Sequence, residues 1–488
     1  MFVGGPDLAS YLDPFDIGDG RDHAPGAAVA PATVEQVRAV LAVARRYRVP
    51  LWPVARGKNF AYGTAAPRLR GCVVLDLGRM NRILEVDEAL GTALVEPGVG
   101  FFELHAELER RGGRFWASAP SQALGSVMGN ALEHGVGYTP YGEHAANICG
   151  LEVMLADGAL VRTGMGAVPG SREWQSFKWG YGPVLDGMFT QSSLGVVTKM
   201  GLWLMPEPEG MAGVSISVPR KNDLAALIDA LRPLKLDDTI NATYTLVNGV
   251  RQITGGRTRA KLYQGPGALP ADLVLRLLAE QKSGWWNVTF NLFDHPAGLD
   301  WRLEKITRAF AAIPGTTIKV DRWRRGEAKQ PWMRRELGVA PLGVVDWIGG
   351  RGAHTDFGPV VAPIGSRVTE QYLAIERLFE AHGIDCWFGA FGLGGRALVM
   401  VADMIFDRDD ADAVRRVKAL YAALARDAAA RGVGVYRAHL AFMDDAATAF
   451  SFNDGALGAL NRRLKAALDP DGILAPGKQG IWPTDASA

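Results

Sequence analysis

Glycine distribution is the feature that most limits what this chain can fold into. Twenty of its 59 glycines fall between residues 91 and 201, a density far above the usual share of roughly 7%. Glycine lets backbone take positive φ and approach another surface closely. That stretch therefore reads as turns and short strands laid against something flat or phosphorylated. No three-residue glycine period runs through it, which excludes a collagen-like rod. The 13 Trp, 19 Phe and 11 Tyr give a core that a disordered chain would lack. At 488 residues, the chain exceeds the about 250–300 residues that one core supports, so two domains are expected.

Charge and cysteine usage narrow the partners. Lys and Arg total 53 against 52 Asp and Glu, with no long basic run, so no nucleic acid is expected to bind. Cys72, Cys149 and Cys386 are odd in number, far apart and outside any CxxC pair, which fits a reducing compartment. The N-terminal residues lack the basic and apolar stretches of a Sec-type signal. No apolar run reaches the length of a membrane span. The expectation is a cytoplasmic protein that neither crosses nor binds a membrane.

Local patterns divide the chain. Residues 33–48 predict a helix capped by Thr33 with Gln36 as reciprocal partner. Strands are expected at 72–77 and 92–96, a helix from Phe101 stopped at Gly112-Gly113, a hairpin over 151–164 and a strand over 195–206. MPEPEGMAG (205–213) reads as a linker. Beyond it, helices near 223–232, 271–282, 298–312, 370–382 and 410–430 alternate with strands near 286–293, 385–391, 398–406 and 434–442. GLGGRA (392–397) has the outline of a dinucleotide fingerprint, but strand-like sequence follows it where a helix should. A hairpin turn is the expectation there. His134 and His144, with Glu133 and Glu143, match no metal-ligand spacing, and no metal is expected.

Three segments carry more chemistry. ARGKNFAYGTAAP (55–67) combines basic side chains with a backbone able to form an anion nest. APSQALGSVMGNALEHGVGYTPYG (119–142) offers glycine and small residues for close contact. In VYRAHLAFMD (435–444), strand alternation would put Tyr436 and Arg437 on opposite faces. Each segment alone is also satisfied by a turn, a turn and a strand.

With LDLGRMNRILEVD, VEPGVGFFELH, SSLGVVTKMGLWLMPEP, RGAH and DPDGILAPGKQGIWP in the same order, the chain resembles the vanillyl-alcohol oxidase, eugenol oxidase and p-cresol methylhydroxylase flavoprotein family over nearly its whole length. The resemblance implies an α+β, two-domain fold of the p-cresol-methylhydroxylase type. Residues 1–210 would bind FAD, 211–436 would form an α+β cap over the substrate, and 437–488 would return to the FAD-binding domain. Arg56, Gly57, Lys58 and Asn59 would lie on the pyrophosphate, and Pro120, Gly125, Ser126, Gly129, Asn130, Gly135 and Val197 along the cofactor. His354 aligns with the histidine that many relatives join to the flavin 8α-methyl. Tyr62, Tyr436 and Arg437 match the trio that binds the phenol oxygen of para-alkylphenol substrates, and Tyr138 matches a further pocket position.

The implied activity is FAD-dependent oxidation of a para-substituted phenol, by hydride transfer from the benzylic carbon to flavin N5 through a quinone methide. Electrons would pass to oxygen or an external acceptor, in a homo-oligomer of two or more chains. Ser121 stands where the family usually has an aspartate given base-like roles near N5, and a neutral hydroxyl cannot replace a carboxylate base. That departure implies an altered fate for the quinone methide and a less secure flavin link. His23 offers no in-register counterpart of the histidine that assists flavin attachment, and Leu342 stands where close relatives can carry glutamate. Alternative readings are an FAD-linked enzyme for a bulkier lignan-like phenol or a non-phenolic alcohol, and a flavin-binding protein with little turnover.

Overall fold

The structure is a computed structural model and describes residues 5–18, 20–329 and 344–483; Leu342 lies outside them. Thr33 caps the first long helix, Val34–Tyr47, by accepting from the Gln36 N–H at 3.2 Å. Gln36 reaches back to the Ala32 N–H at 2.7 Å, one residue before the cap. Val37, Leu41 and Ala44 bury one stripe of this helix, as the 3.6-residue period requires.

Two sheets form from the first half of the chain. Strands 27–29, 73–76 and 51–54 pair in parallel, with 73–76 in the middle. Strands 83–87, 92–95, 196–203, 148–154 and 160–162 form a five-stranded antiparallel sheet in that order. Asp157-Gly158 makes the expected turn between strands 148–154 and 160–162, with Gly158 at φ +89°.

The second half builds one large antiparallel sheet. Its order is 317–324, 210–218, 286–294, 244–247, 387–393, 397–407 and 352–357, with 360–361 also paired to 397–407. Helices Leu224–Leu236, Ala271–Glu280, Pro296–Phe310, Gly365–Ala381 and Ala411–Ala430 join it in a continuous apolar core. GLGGRA is the hairpin turn between 387–393 and 397–407, where Gly394 and Gly395 have positive φ.

Two expectations fail. The linker is shorter than 205–213: Met205-Pro206 pairs with Phe115-Trp116, and Gly210–Val218 is an interior strand bonded on both sides. Its glycines and alanine fit a strand closed in by neighbours at both edges. The segment 434–442 is not a strand. Pairing there is confined to the Pro359–Val435 bridge and the Val360 and Tyr436 N–H bonds around it, after which the chain turns into a short 3₁₀ turn at 440–442.

The C-terminal residues run back to the first half. Leu51 N–H donates to Ile473 at 2.7 Å and Ala475 N–H to Leu51 at 2.8 Å, which sets the tail beside strand 51–54. Lys465, 1% exposed, fixes the approach: Nζ is 2.7 Å from Asp469 and donates to the Ser193 carbonyl at 2.9 Å and the Leu474 carbonyl at 2.5 Å. Asp469 in turn accepts from the Ile473 and Leu474 N–H groups. Among the described residues, no helix is long and apolar enough to cross a membrane.

Removing one partner of a buried ion pair strands the other charge. Lys465→Ala should therefore cost about 3–5 kcal/mol, read as a lower urea midpoint at unchanged slope. A loss under about 1 kcal/mol would show that water reaches the pair.

Candidate functional site

An open cleft runs between the glycine-rich half and the returning C-terminal segment. Its walls include the loop Arg56–Asn59, Gly125, Ser126, Gly129 and Asn130, the stretches 191–193 and 195–197, and Leu474, Ala475 and Lys478. Sequence-predicted residues Arg56, Gly57, Lys58, Asn59, Gly125, Ser126, Gly129, Asn130 and Val197 thus share one surface.

Ser126 is committed to the fold: it caps helix Val127–Leu132 by accepting from the Gly129 N–H, and its own hydroxyl donates to the Pro97 carbonyl. Pro120, Gly135 and His354 do not line the cleft. Gly135 is instead packed so tightly on Asn130 that a Cβ would fall inside that side chain.

The cleft suits a flat, phosphorylated cofactor. A Cβ added at Gly125 would meet nothing within 4 Å, so the open space begins at the backbone. Ser193 Oγ is buried there without a hydrogen-bond partner. Cations are concentrated along the walls: Arg56, held by Glu103 at 2.7 Å, the exposed Lys58, Arg437 and Lys478, which is paired with Glu133.

Tyr62 and Arg437 line the cleft, and Tyr436, outside its lining, meets them there. Arg437 lies over the Tyr62 ring, 4.0 Å from its centroid, and donates to Asn59 at 2.5 Å. Tyr62 and Tyr436 hydroxyls are 3.4 Å apart. Tyr436 and Arg437 therefore converge rather than facing opposite ways, because the strand ladder that would impose alternation stops before them. Gln191 donates to the Tyr436 carbonyl at 2.9 Å, which ties this segment to the cleft wall. Burial, then Tyr436 and Asp356, push the Tyr62 phenol well above its ordinary value, against the pull of Arg437. Tyr62 is thus a protonated donor. Burial opposes the Arg437 charge, but the two tyrosines and Glu133 hold the guanidinium even more firmly protonated. Ser121 and Tyr138, both half-buried, are not on the cleft surface.

His354 occupies a different setting from the one expected. Its Nδ1 donates to Asp356 at 2.8 Å and lies 3.6 Å from Asp403, and Phe15 packs on its ring at 5.2 Å. The spacing His354-x-Asp356 could have suggested this pairing, since residues two apart share a strand face. Asp403 could not have been found that way; only the register of strands 352–357 and 397–407 brings it there.

A second missed pair supports the Arg437 segment. Asp13 accepts from His439 Nε2 at 2.7 Å in a site almost closed to water. Because the Ala441 N–H donates to Nδ1, the imidazole proton is on Nε2. Gly63, at φ +103°, lets the Tyr62 loop pass against Leu440, where any Cβ would collide. His23 lies beside His439, ring centroids 6.4 Å apart, and not on the cleft.

Residues 25–164 match the family described as FAD binding domain, and residues 280–479 the family described as FAD linked oxidases, C-terminal domain. The chain is 37% identical over 471 residues to the 4-cresol dehydrogenase [hydroxylating] flavoprotein subunit of Pseudomonas putida, covering 94% of this chain and 88% of that one. The solved 4-ethylphenol oxidase from Gulosibacter chungangensis, in its isoeugenol complex, superposes with a TM-score of 0.94 at 33% identity over 100% of this chain and 95% of that one. p-Cresol methylhydroxylase with substrate bound gives 0.93 at 34% identity over 99% and 94%.

Two predictions follow from these contacts. Asp13→Ala leaves a buried Nε2–H unpaired and should cost about 1–3 kcal/mol, measured by urea unfolding. Burial disfavours the His354 imidazolium, but Asp356 and then Asp403 outweigh it and raise its pKa to about 10. An unfolded histidine titrates near 6.5. Its pairing therefore stabilises the fold fully below about pH 6.5, and that contribution disappears as pH climbs toward about 10. Thermal unfolding should show a Tm that falls over this range in the wild type and falls less in His354→Gln.

Proposed function

The chain belongs to the p-cresol methylhydroxylase family of FAD-linked oxidoreductases, and from that membership we propose that it oxidises a para-substituted phenol at the benzylic carbon. The observation that carries this reading is the meeting of Tyr62, Tyr436 and Arg437 beside the cleft that Tyr62 and Arg437 line. In this reading residues 1–210 bind FAD together with the returning segment 437–488, and 211–436 form the cap. The loop Arg56–Asn59 would hold the pyrophosphate, with Gly125, Gly129, Asn130 and Val197 along the cofactor. When bound, FAD accepts the hydride that leaves the substrate.

The chain's own contribution is electrostatic and geometric. A free phenol has a pKa near 10. Two tyrosine hydroxyls and one guanidinium favour its anion through hydrogen bonding and opposite charge. Phenolate density moves toward the para position, which makes hydride loss from the benzylic carbon feasible and leaves a quinone methide. Asn59 holds Arg437 from behind, and Gln191 and the Asp13–His439 pair set the backbone that presents it. With Ser121 where relatives carry a carboxylate, water has no base on that side. Alkene formation or another outcome then competes with hydration. Electrons leave to oxygen or to an external acceptor. The reading includes a homo-oligomer: Phe177, Trp179, Tyr181, Val184 and Leu185 stand exposed in one short stretch, an apolar surface of the kind a second copy covers.

Mixing the flavin-loaded protein anaerobically with 4-alkylphenols and 4-hydroxybenzyl alcohols should bleach its absorbance. A folded, loaded protein that none of them bleaches would remove the phenol assignment. Arg437→Ala should abolish reduction, and Tyr62→Phe should slow it by roughly 10–100-fold; unchanged rates in both would deny the trio its role.

A further inference from the structure

Asp356 and Asp403 face each other directly across strands 352–357 and 397–407, and both are buried. Like charges opposed across a sheet repel, and buried carboxylates persist only when paired. Compensation comes from two sides. Arg251 donates to Asp403 at 3.0 Å and stacks on Trp387 at 4.3 Å. His354 bridges the two carboxylates from the other side through Nδ1. Burial and then the Asp356 charge push the Asp403 carboxyl up to about 7; above that, with both carboxylates ionised and Arg251 and His354 both cationic, the cluster is neutral. With a neutral imidazole, it carries one uncompensated negative charge.

That charge would face the phenol end of the cleft. Asp356 is close enough to Tyr62 to oppose its ionisation. Gly358, two residues further on, accepts the Tyr436 N–H at 3.1 Å and packs under the Tyr436 ring. Phe15 lies between His354 and Phe60, with ring centroids 5.2 and 5.7 Å away. The groups facing His354 are therefore Asp356 on its own strand, Asp403 on the next, Arg251 behind them and the apolar Phe15 ring. Beyond these lie Tyr62, Tyr436 and Arg437 on the cleft side.

We infer that His354 serves as the cationic partner of Asp356 and Asp403, and that the neutral cluster it completes adds no net negative charge behind the phenolate that Arg437 meets. This rests on the phenol reading above and gives His354 a positioning role through the Nδ1–H it directs at the two carboxylates. The two carboxylates are what raise the His354 pKa so far above that of a free histidine.

Phenol itself lacks a benzylic carbon and binds without reacting, so it can be titrated into the holoenzyme by flavin absorbance near pH 8. His354→Gln removes one positive charge and should weaken phenol about ten-fold or more at unchanged FAD content. His354→Gln with Asp356→Asn removes one charge of each sign and should return binding to within about three-fold of wild type. Wild-type affinity in the single variant, or no recovery in the double, overturns the inference. Failure of the wild type to bind phenol at all would instead strike the phenol reading, and this inference with it.

Discussion

The buried Lys465–Asp469 pair fastens three separate stretches of chain at one point, and the site depends on that fastening. Taking both charges out of water costs several kcal/mol each, offset by the carbonyls of Ser193 and Leu474 on one side and the N–H groups of Ile473 and Leu474 on the other. Ser193 and Leu474 both line the cleft. The pair thus sets one cleft wall against the tail that closes it. Tyr436 and Arg437 lie between this anchor and the large sheet, so their position is determined from both ends. The Asp13–His439 pair adds a third hold from the N-terminal segment.

Charge is arranged around the cleft on the same principle: buried ions occur in compensated groups. Arg437 is held by Asn59 and the faces of two tyrosines, while the Glu133 carboxylate that acts on it is itself paired with Lys478. Asp356 and Asp403 are compensated by Arg251 and His354 within their own cluster.

Much of this was legible in the primary structure where the signal is local. The Thr33 cap and its helix, the Asp157-Gly158 turn and the GLGGRA hairpin each depend on a few neighbouring residues, and each formed where sequence placed it. The loop Arg56–Asn59 and the positions Gly125, Gly129 and Val197 share a surface because ordered blocks of resemblance carry the cleft with them. The segment 434–442 failed for the opposite reason. Its residues favour a strand, but pairing stops at Val435 and Tyr436, and without a partner strand no alternation is imposed. Gly210–Val218 was cut short because Gly and Pro were taken as punctuation where the sheet needed small interior residues.

What the sequence carried by itself was glycine where backbone must lie close and, through the family resemblance, Tyr62, Tyr436 and Arg437 as the expected polar set of the pocket. What only the tertiary structure decided was the setting of the charges. His354, alone in RGAH, reads as a cofactor contact; in the fold it stands against two carboxylates, one of which is 49 positions away. Asp13 and His439 lie more than 400 residues apart and become a pair only once the tail has returned. Local sequence fixes which chemical groups are present and which way a short element turns. The energy of a buried charge depends on neighbours that strand register and chain return bring to it, and those are properties of the whole fold.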